Sequence, residues 1–421
     1  MMRQTLFAAC LAFASTGLLA QTLQLQPPAS SDLVADSLLS ERAAAQWPSR
    51  TVERAPLSYS RLLTDQSQGR PGLHRIGNGP SSPTLDRSRI SESRQYWLDA
   101  DGAELAAGVD LPITAPGAVI RVSFPDQVEV GMDRLQLRYQ GRQVRAVDLS
   151  RSMATGRQLR ATGFAVPKQS LAFKLDRTVD RGTVQLVIDG IEAGVSALVH
   201  VFEPHSPYVG RLEVDRQAVL SGHKLSARLE LDHPGGVDVP SGVSVMLTAP
   251  GDAERLMLHP ERGTRGVWSI TAPERGAAEP GALHELHAYL DVEIDGVRVR
   301  RDLSHAIAVA PALARLDGAV SVGRSRNLSL RLGIEAAAQG RYQLRGTLYG
   351  RDAKGRETAV ALAESAAVLP AGNSELGLDF DIAALRKAGY QGPWRLGDLM
   401  LFDQGRMGLL EHRHDALSLN D

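Results

Sequence analysis

From Gln95 onward the chain consists of short runs in which apolar and polar residues alternate, separated by glycine, proline and aspartate turns about every ten residues. Alternation with a period of two places successive side chains on opposite faces of a strand. Each run, for example Val119–Ser123 or residues 225–231, therefore predicts a strand with one buried face. Many short strands at regular spacing are typical of β-sandwiches. The pattern predicts an all-β fold.

Breaks in the pattern predict how the strands are divided among domains. We expect a first β-sandwich over residues 95–206, a second, immunoglobulin-like sandwich over 207–311, and a third, immunoglobulin-like sandwich over 312–421. A weak repeat supports this division, since Arg211-Leu212 and Arg315-Leu316 each precede a similar alternating run. A period of about 105 residues indicates tandem copies of one sandwich.

Two local features are predicted in more detail. Asp295-Gly296 stands between two alternating runs, and both of its positions favour the positive φ that a two-residue hairpin turn requires. A short helix is predicted over residues 382–387, with Asp381 as its N-cap and Gly389 closing its C-terminal end.

The chain before Gln95 has a different composition. Residues 21–94 are rich in Ser, Pro, Gln and Arg and show little apolar periodicity. We expect a low-order N-terminal segment, which is either a linker or a segment that orders on a partner.

Residues 1–20 have the pattern of a signal peptide: Arg3 near the start, an apolar run, and Ala20 before a polar stretch. This run is too short for a stable membrane span, so we expect an exported protein of the periplasm or the extracellular space, with no transmembrane segment in the mature chain. The single cysteine, Cys10, lies within this stretch, which leaves no disulfide after cleavage. A lipidated Cys10 is the alternative to cleavage at Ala20.

Charge and composition exclude some partners. The chain has 47 Lys and Arg residues against 48 Asp and Glu residues, without a basic cluster, which argues against a nucleic-acid or lipid surface. No phosphate-binding glycine loop and no Gly-x-Ser-x-Gly turn are present, so no cofactor and no serine-hydrolase site are expected.

Two groups of residues are candidates for a metal site. Asp99 and Asp101, beside Gly102, have a calcium-loop composition, and calcium between tandem sandwiches would stiffen their linker. Turn chemistry explains the same residues equally well. His412 and His414 share one face of a predicted strand but need further ligands from elsewhere. The alternative for these histidines is an exposed polar strand.

Aromatic residues give one candidate for ligand binding. Tyr96 and Trp97 are adjacent on a predicted strand, so one of the two rings faces outward. Trp268 and Trp394 lie in alternating apolar runs and are predicted to be core residues.

The last two predicted domains carry a family resemblance. It rests on GVWSI at residues 266–270, RGTLYG at 345–350, GYQGPW at 389–394 and DQGRM at 403–407. With these motifs the chain resembles a family of secreted bacterial proteins with tandem immunoglobulin-like domains of unknown function. The resemblance covers residues 95–417 and implies the fold, but it implies no site residues.

The sequence thus favours a non-enzymatic, exported binding or scaffold protein of the bacterial envelope, whose partner is a protein or a glycan recognised by loops or by strand addition. One alternative is an accessory glycan- or peptide-binding protein of a secreted hydrolase system. A second alternative is an enzyme with a site between domains. A pocket that contains a histidine and two carboxylates would support this alternative.

Overall fold

The computed structural model describes residues 21–63, 89–240, 243–249, 256–258, 261–262, 267–274, 279–324 and 327–419. Strands make up about 58% and helices about 9% of this part of the chain. The fold is therefore all-β, as the alternation predicts. The signal-peptide pattern, with Cys10, lies outside the described residues. Among the helices of the described part, none has the length and apolar character needed to cross a membrane.

The chain forms two compact units. Within the described residues, unit 1 comprises 21–63 and 312–419, and unit 2 comprises 89–311. Elements are numbered along the chain. The N-terminal part of unit 1 contains β1 (Gln21–Gln24), α1 (Glu41–Ala44) and β2 (Leu57–Leu62).

The first sandwich of unit 2 follows the short strand β3. One of its sheets has the strand order β4-β12-β6-β10-β9 and the other the order β5-β11-β7-β8, with all neighbours antiparallel. Alternate residues such as Ile120, Leu186 and Val199 face inward and form its core. The elements are β3 (Ile90–Ser93), β4 (Gln95–Asp101), α2 (Gly102–Ala107), β5 (Val109–Ile113), β6 (Val119–Ser123), β7 (Leu135–Tyr139), β8 (Arg142–Arg145), β9 (Ser150–Thr155), α3 (Gly156–Ala161), β10 (Ser170–Leu175), β11 (Gly182–Ile188) and β12 (Ser196–Phe202), with 3₁₀ turns at Met132–Arg134 and Ala146–Leu149.

The second sandwich of unit 2 contains two sheets, with strand orders β19-β20-β15-β13-β3 and β14-β22-β21-β17-β18. Its core includes the predicted core residue Trp268, together with Leu229 and Leu286. Its further elements are β13 (Val209–Val214), β14 (Ala218–Leu220), β15 (Lys224–His233), β16 (Gly236–Asp238), β17 (Val243–Thr248), β18 (Leu256–Leu258), β19 (Glu261–Arg262), β20 (Val267–Thr271), β21 (His284–Ile294) and β22 (Val297–Ala310). Strand β14 runs parallel to β22, and β16 pairs with β15.

The third sandwich belongs to unit 1. Its sheets have the strand orders β1-β23-β24-β27 and β2-β26-β25-β28-β29. Its elements are β23 (Ala314–Arg324), β24 (Leu328–Ala336), β25 (Gly340–Arg351), β26 (Glu357–Leu369), β27 (Gly372–Phe380), α4 (Ile382–Lys387), β28 (Gln391–Asp403) and β29 (Gly408–Leu419).

The N-terminal part of unit 1 corrects one expectation. Residues 21–63 are not a low-order segment, because β1 pairs with β23, Leu33 bridges to His412 in β29, and β2 pairs with β26. Leu33 and Trp47 are buried. Strand β3, at the other end of the expected segment, pairs with β13. These strands lack apolar periodicity because they lie at sheet edges, where little of each strand is buried; all six side chains of β2 are exposed.

Both detailed local predictions are confirmed. Strands β21 and β22 form a hairpin closed by Asp295 and Gly296, whose φ angles are 52° and 74°. Helix α4 spans Ile382–Lys387, and the Asp381 side chain accepts a hydrogen bond from the Ala384 amide. Gly389 follows with a φ of 90°.

The burial of Trp47 tests the packing of the N-terminal part of unit 1. Trp47 is 6% exposed, and truncation of a buried tryptophan costs about 3–5 kcal/mol. We expect Trp47→Ala to lower the free energy of unfolding of unit 1 by about that amount, measured by urea denaturation. Exposed Gln46 provides the control, since Gln46→Ala removes little packing. Equal stability of both variants would contradict the packed arrangement.

Candidate functional site

A buried ion pair joins the two sandwiches of unit 2. Arg301 of β22 and Glu203, which directly follows β12, are both 0% exposed at the side chain, and Arg301 Nη1 lies 2.9 Å from Glu203 Oε2. All five guanidinium N–H groups have acceptors: Glu203, the Tyr208 and Arg300 carbonyls, and the Thr114 and Ser206 hydroxyls. The Glu203 carboxylate also accepts hydrogen bonds from the Thr114 hydroxyl and the Thr114 and Ala115 amides.

The residue after Arg301 connects this pair to a cleft. Because side chains alternate along a strand, Asp302 points to the opposite face of β22 from Arg301. There its Oδ2 accepts a 2.7 Å hydrogen bond from the backbone N–H of Trp97, at the free edge of β4. Burial raises the pKa of Asp302 to about 6, although the Trp97 N–H and the charges of Arg300 and Arg301 oppose this rise.

Trp97 is part-exposed and held in place by its neighbours across the sheet. Residues Trp97, His200 and Arg121 form one outward row on β4, β12 and β6. The His200 ring stacks on Trp97 with 3.8 Å between centroids and an interplanar angle of 15°, and the Arg121 guanidinium carbon lies 5.0 Å from the Trp97 centroid. Burial and the nearby Arg121 charge lower the pKa of His200 to about 4, so the imidazole is neutral near pH 7. Gln95 Oε1 holds His200 Nε2 at 3.0 Å.

The second sandwich supplies the facing wall. On β21 the rings of His287 and Tyr289 lie almost parallel, with centroids 6.2 Å apart. These residues pair with Ser304 and Asp302 of β22. Together with Trp97, Gln95 and β3 they enclose a cavity of about 440 Å³, here called the Trp97 cleft. Clefts of this size that combine aromatic surface with a few polar groups are typical of ligand sites.

Glu92 of β3 adds a second carboxylate to the cleft lining. It is paired with Arg211, whose Nε lies 3.0 Å from Glu92 Oε1. The cleft lining thus contains a histidine and two carboxylates, the combination that would support the enzyme alternative.

Of the two aromatic candidates, only Trp97 reaches the cleft. Tyr96 is fully buried in the core of the first sandwich, and its hydroxyl donates to the Pro112 carbonyl. The Tyr96 ring is therefore not exposed to the cleft. Because side chains alternate along a strand, the two rings lie on opposite faces of β4. Tyr96 lies on the buried face and Trp97 on the outer face.

The acidic candidates for a metal site are not brought together. Asp101 is the N-cap of α2 and forms a capping box with Glu104, while Asp99 is exposed on β4. Among the described residues, no group of three or more His, Cys, Asp or Glu side chains has the geometry of a metal site.

His412 and His414 lie side by side on β29, with ring centroids 4.3 Å apart, but they contact different carboxylates. His414 Nδ1 lies 2.7 Å from Asp32, and His412 Nε2 lies 3.7 Å from Asp398. Burial raises the pKa of Asp32, but hydrogen bonds from His414 outweigh it and lower the value overall. The His414 side chain, together with the backbone bridge between Leu33 and His412, therefore ties the N-terminal part of unit 1 to β29.

A second depression, of about 620 Å³, lies in unit 1 beside residues 50–53. Its polar lining is largely bound within the protein: Arg345 pairs with Glu364, which also accepts hydrogen bonds from Tyr59 and Gln343. The Trp97 cleft presents in addition a part-exposed tryptophan ring and a carboxyl group with a raised pKa, so we place the candidate site there.

Sequence reasoning missed Arg301, Glu203 and Asp302. A signal was nevertheless present. Arg301 occupies the apolar phase of its strand with Val299 and Leu303, and Glu203 continues the phase of Val199 and Val201. A charge on the buried face of a strand predicts a buried partner.

Comparison with known proteins identifies the family. The profile of the DUF4785 (domain of unknown function) N-terminal domain matches residues 48–203, and that of its C-terminal domain matches residues 313–420, together more than half of the chain. The chain belongs to the DUF4785 family. A crystal structure of a DUF4785 protein from Legionella pneumophila matches with a TM-score of 0.70 at 18% identity, over 95% of this chain and 99% of that one. It supports the all-β fold.

Other matches are remote. Titin domains A168–A170 give a TM-score of 0.17 at 10% identity, over 79% of this chain and 100% of that one. A marsupial T cell receptor gives 0.18 at 10% identity, over 68% and 99%. No curated protein matches the chain.

Removal of one partner of the Arg301–Glu203 pair should destabilise unit 2. Removal of one partner of a buried pair leaves an uncompensated charge and costs about 3–5 kcal/mol. We expect Glu203→Gln to lower the free energy of unfolding by that amount in urea denaturation. The exposed pair Arg145–Asp148 provides the control, and Arg145→Ala should have little effect. Similar small losses in both variants would contradict the role of the pair.

Asp302 should give unit 2 a distinctive pH dependence. The pKa of its folded-state carboxyl, about 6, lies above the ordinary 3.8, so the folded state holds the proton more tightly. Its contribution to stability is present below pH 4 and is lost as pH rises through 6, at a cost of at most about 3 kcal/mol. Asp302→Asn should therefore stabilise the protein at pH 7 but not at pH 4, as measured by urea denaturation.

Asp291, on the neighbouring strand β21, provides a control in which the pKa of the carboxyl is shifted in the opposite direction. Hydrogen bonds from Arg298 lower its pKa, so Asp291→Asn should destabilise the protein at pH 7 and have less effect as the pH approaches the lowered pKa. A stability difference for Asp302→Asn that does not change with pH would contradict the raised pKa.

Proposed function

We propose that this protein is a non-enzymatic, exported binding protein of the bacterial envelope, and that its ligand occupies the Trp97 cleft. The observation that carries the proposal is the part-exposed Trp97 ring, fixed by His200 on its face and by Asp302 at its backbone N–H. An aromatic ring that is already ordered loses little conformational entropy on binding, so it makes an effective anchor. The signal-peptide pattern of residues 1–20 supports the export part of the proposal.

The buried ion pair supports the same proposal. One wall of the cleft comes from the first sandwich and the other from the second, so a fixed cleft requires the two to be held together. Glu203 and Arg301, the residue before Asp302 on β22, supply that connection. A pre-organised site binds more tightly because less ordering occurs on association.

Tryptophan fluorescence tests whether the cleft binds a ligand. Of the four tryptophans in the chain, Trp47, Trp268 and Trp394 are 5–8% exposed and Trp97 is the part-exposed one. Acrylamide should therefore quench Trp97 preferentially. We expect the low-molecular-weight fraction of a digested bacterial envelope to protect Trp97 from quenching, and Trp97→Phe to show no such effect. Unprotected Trp97 in the presence of this fraction would contradict the proposal.

A second candidate function rests on the histidine and two carboxylates in the cleft. Asp302, with its pKa raised to about 6, would be the acid of a hydrolase, and Glu92 or His287 its base. Against this reading, one Asp302 oxygen is bound by the Trp97 N–H and Glu92 is held by Arg211. If the protein is an enzyme, Asp302→Asn should abolish product formation from the envelope fraction. Absence of products with the unaltered protein favours binding alone.

A further inference from the structure

The polar groups of the Trp97 cleft restrict the chemistry of its ligand. None of the described residues that line it is Lys or Arg, whereas both Asp302 and Glu92 are carboxylic acids. An anionic ligand would therefore meet like charges at the cleft surface, and no Lys or Arg side chain of the described lining is there to bind it. The remaining polar side chains of the lining are those of Gln95, His287, Tyr289 and the serines.

The same carboxylates do not call for a cationic ligand, because cations of the protein already accompany them. Arg211 pairs with Glu92 at 3.0 Å, and the positive charges of Arg300 and Arg301 act on the Asp302 carboxyl. A positively charged ligand would therefore gain little from carboxylates that already have cationic neighbours.

An uncharged ligand with many hydroxyl groups suits both the carboxylates and the aromatic rings of the cleft. Carboxylate oxygens accept strong, charge-assisted hydrogen bonds from hydroxyls, and the carboxylates of the cleft lining are placed to receive them. The aromatic rings of Trp97 and Tyr289 belong to the two walls and offer apolar surface to the C–H groups of a sugar ring. A volume of about 440 Å³ lies near the lower end of ligand cavities, which suits a few sugar rings.

We propose that the ligand of the Trp97 cleft is an uncharged carbohydrate, bound as a short stretch of a glycan chain, with Trp97 beneath a sugar ring and Asp302 accepting from its hydroxyls. This inference rests on the proposed function, since it assigns a ligand class to the same cleft. It makes Trp97 and Asp302 the residues on which affinity depends most.

The test uses defined probes and the full-length chain. Neutral trisaccharides of glucose, mannose and N-acetylglucosamine, a uronic-acid trisaccharide and pentalysine are titrated while Trp97 fluorescence is followed. We expect saturable binding of a neutral trisaccharide and no binding of the uronic-acid trisaccharide or pentalysine. Trp97→Ala, followed by calorimetry because it removes the probe, should weaken the affinity at least about tenfold. The exposed aromatic Phe164 of the same unit provides the control, and Phe164→Ala should leave affinity unchanged.

The outcomes separate this inference from the proposed function. Saturable, Trp97-dependent binding of pentalysine or of the uronic-acid trisaccharide without binding of neutral sugars would overturn the carbohydrate assignment and retain the cleft as a binding site. Sugar binding that survives Trp97→Ala would overturn the assignment of the cleft. Failure of every probe at millimolar concentration overturns the inference, while the envelope fraction tests independently whether the cleft binds any ligand.

Discussion

The arrangement of unit 2 depends on one buried ion pair, Arg301 with Glu203. Removal of two charges from water is costly, and only mutual contact with complete hydrogen bonding offsets that cost. Separation of the two sandwiches would leave each charge unpaired, so the pair selects one arrangement of them. Asp302, the residue after Arg301, then lies beside β4 and fixes Trp97 through its backbone N–H. The walls of the cleft are thus positioned by the contact in which Arg301 and Glu203 obtain their hydrogen-bond partners.

Strand pairing between distant parts of the chain attaches the N-terminal strands β1, β2 and β3 to the sandwiches. Strands β1 and β2 pair with strands about 300 residues away, and β3 pairs with a strand about 120 residues away. Closure entropy grows only with the logarithm of loop length, so such pairings are thermodynamically accessible. They also cover sheet edges that would otherwise expose unpaired backbone groups. Residues 21–63 are therefore part of the third sandwich rather than an appendage to it.

The fold was largely predictable from local chemistry, and the site only in part. The Asp295-Gly296 turn, the Asp381 cap and the burial of Trp268 and Trp394 each depend on neighbouring residues, so the sequence predicts them. The pairing of β1, β2 and β3 depends on strands that are distant in the sequence. Because these three strands lie at sheet edges and bury few side chains, they show no apolar alternation from which the pairing could be predicted. Alternation predicted that one ring of Tyr96 and Trp97 is outside, but which ring is outside depends on the strands around β4. The sequence shows that Arg301 and Glu203 occupy inward-facing positions of their strands, which are otherwise apolar. That the two side chains contact each other is seen only in the three-dimensional structure.

Hydrogen exchange at the backbone amide of Trp97 tests the central claim most directly. This amide donates to Asp302, so its protection reports whether the two sandwiches are held together, while the Leu186 amide reports on the core of the first sandwich alone. If the ion pair holds the cleft, Glu203→Gln will accelerate exchange at Trp97 far more than at Leu186. An equal acceleration at both amides, or none at Trp97, would contradict the account.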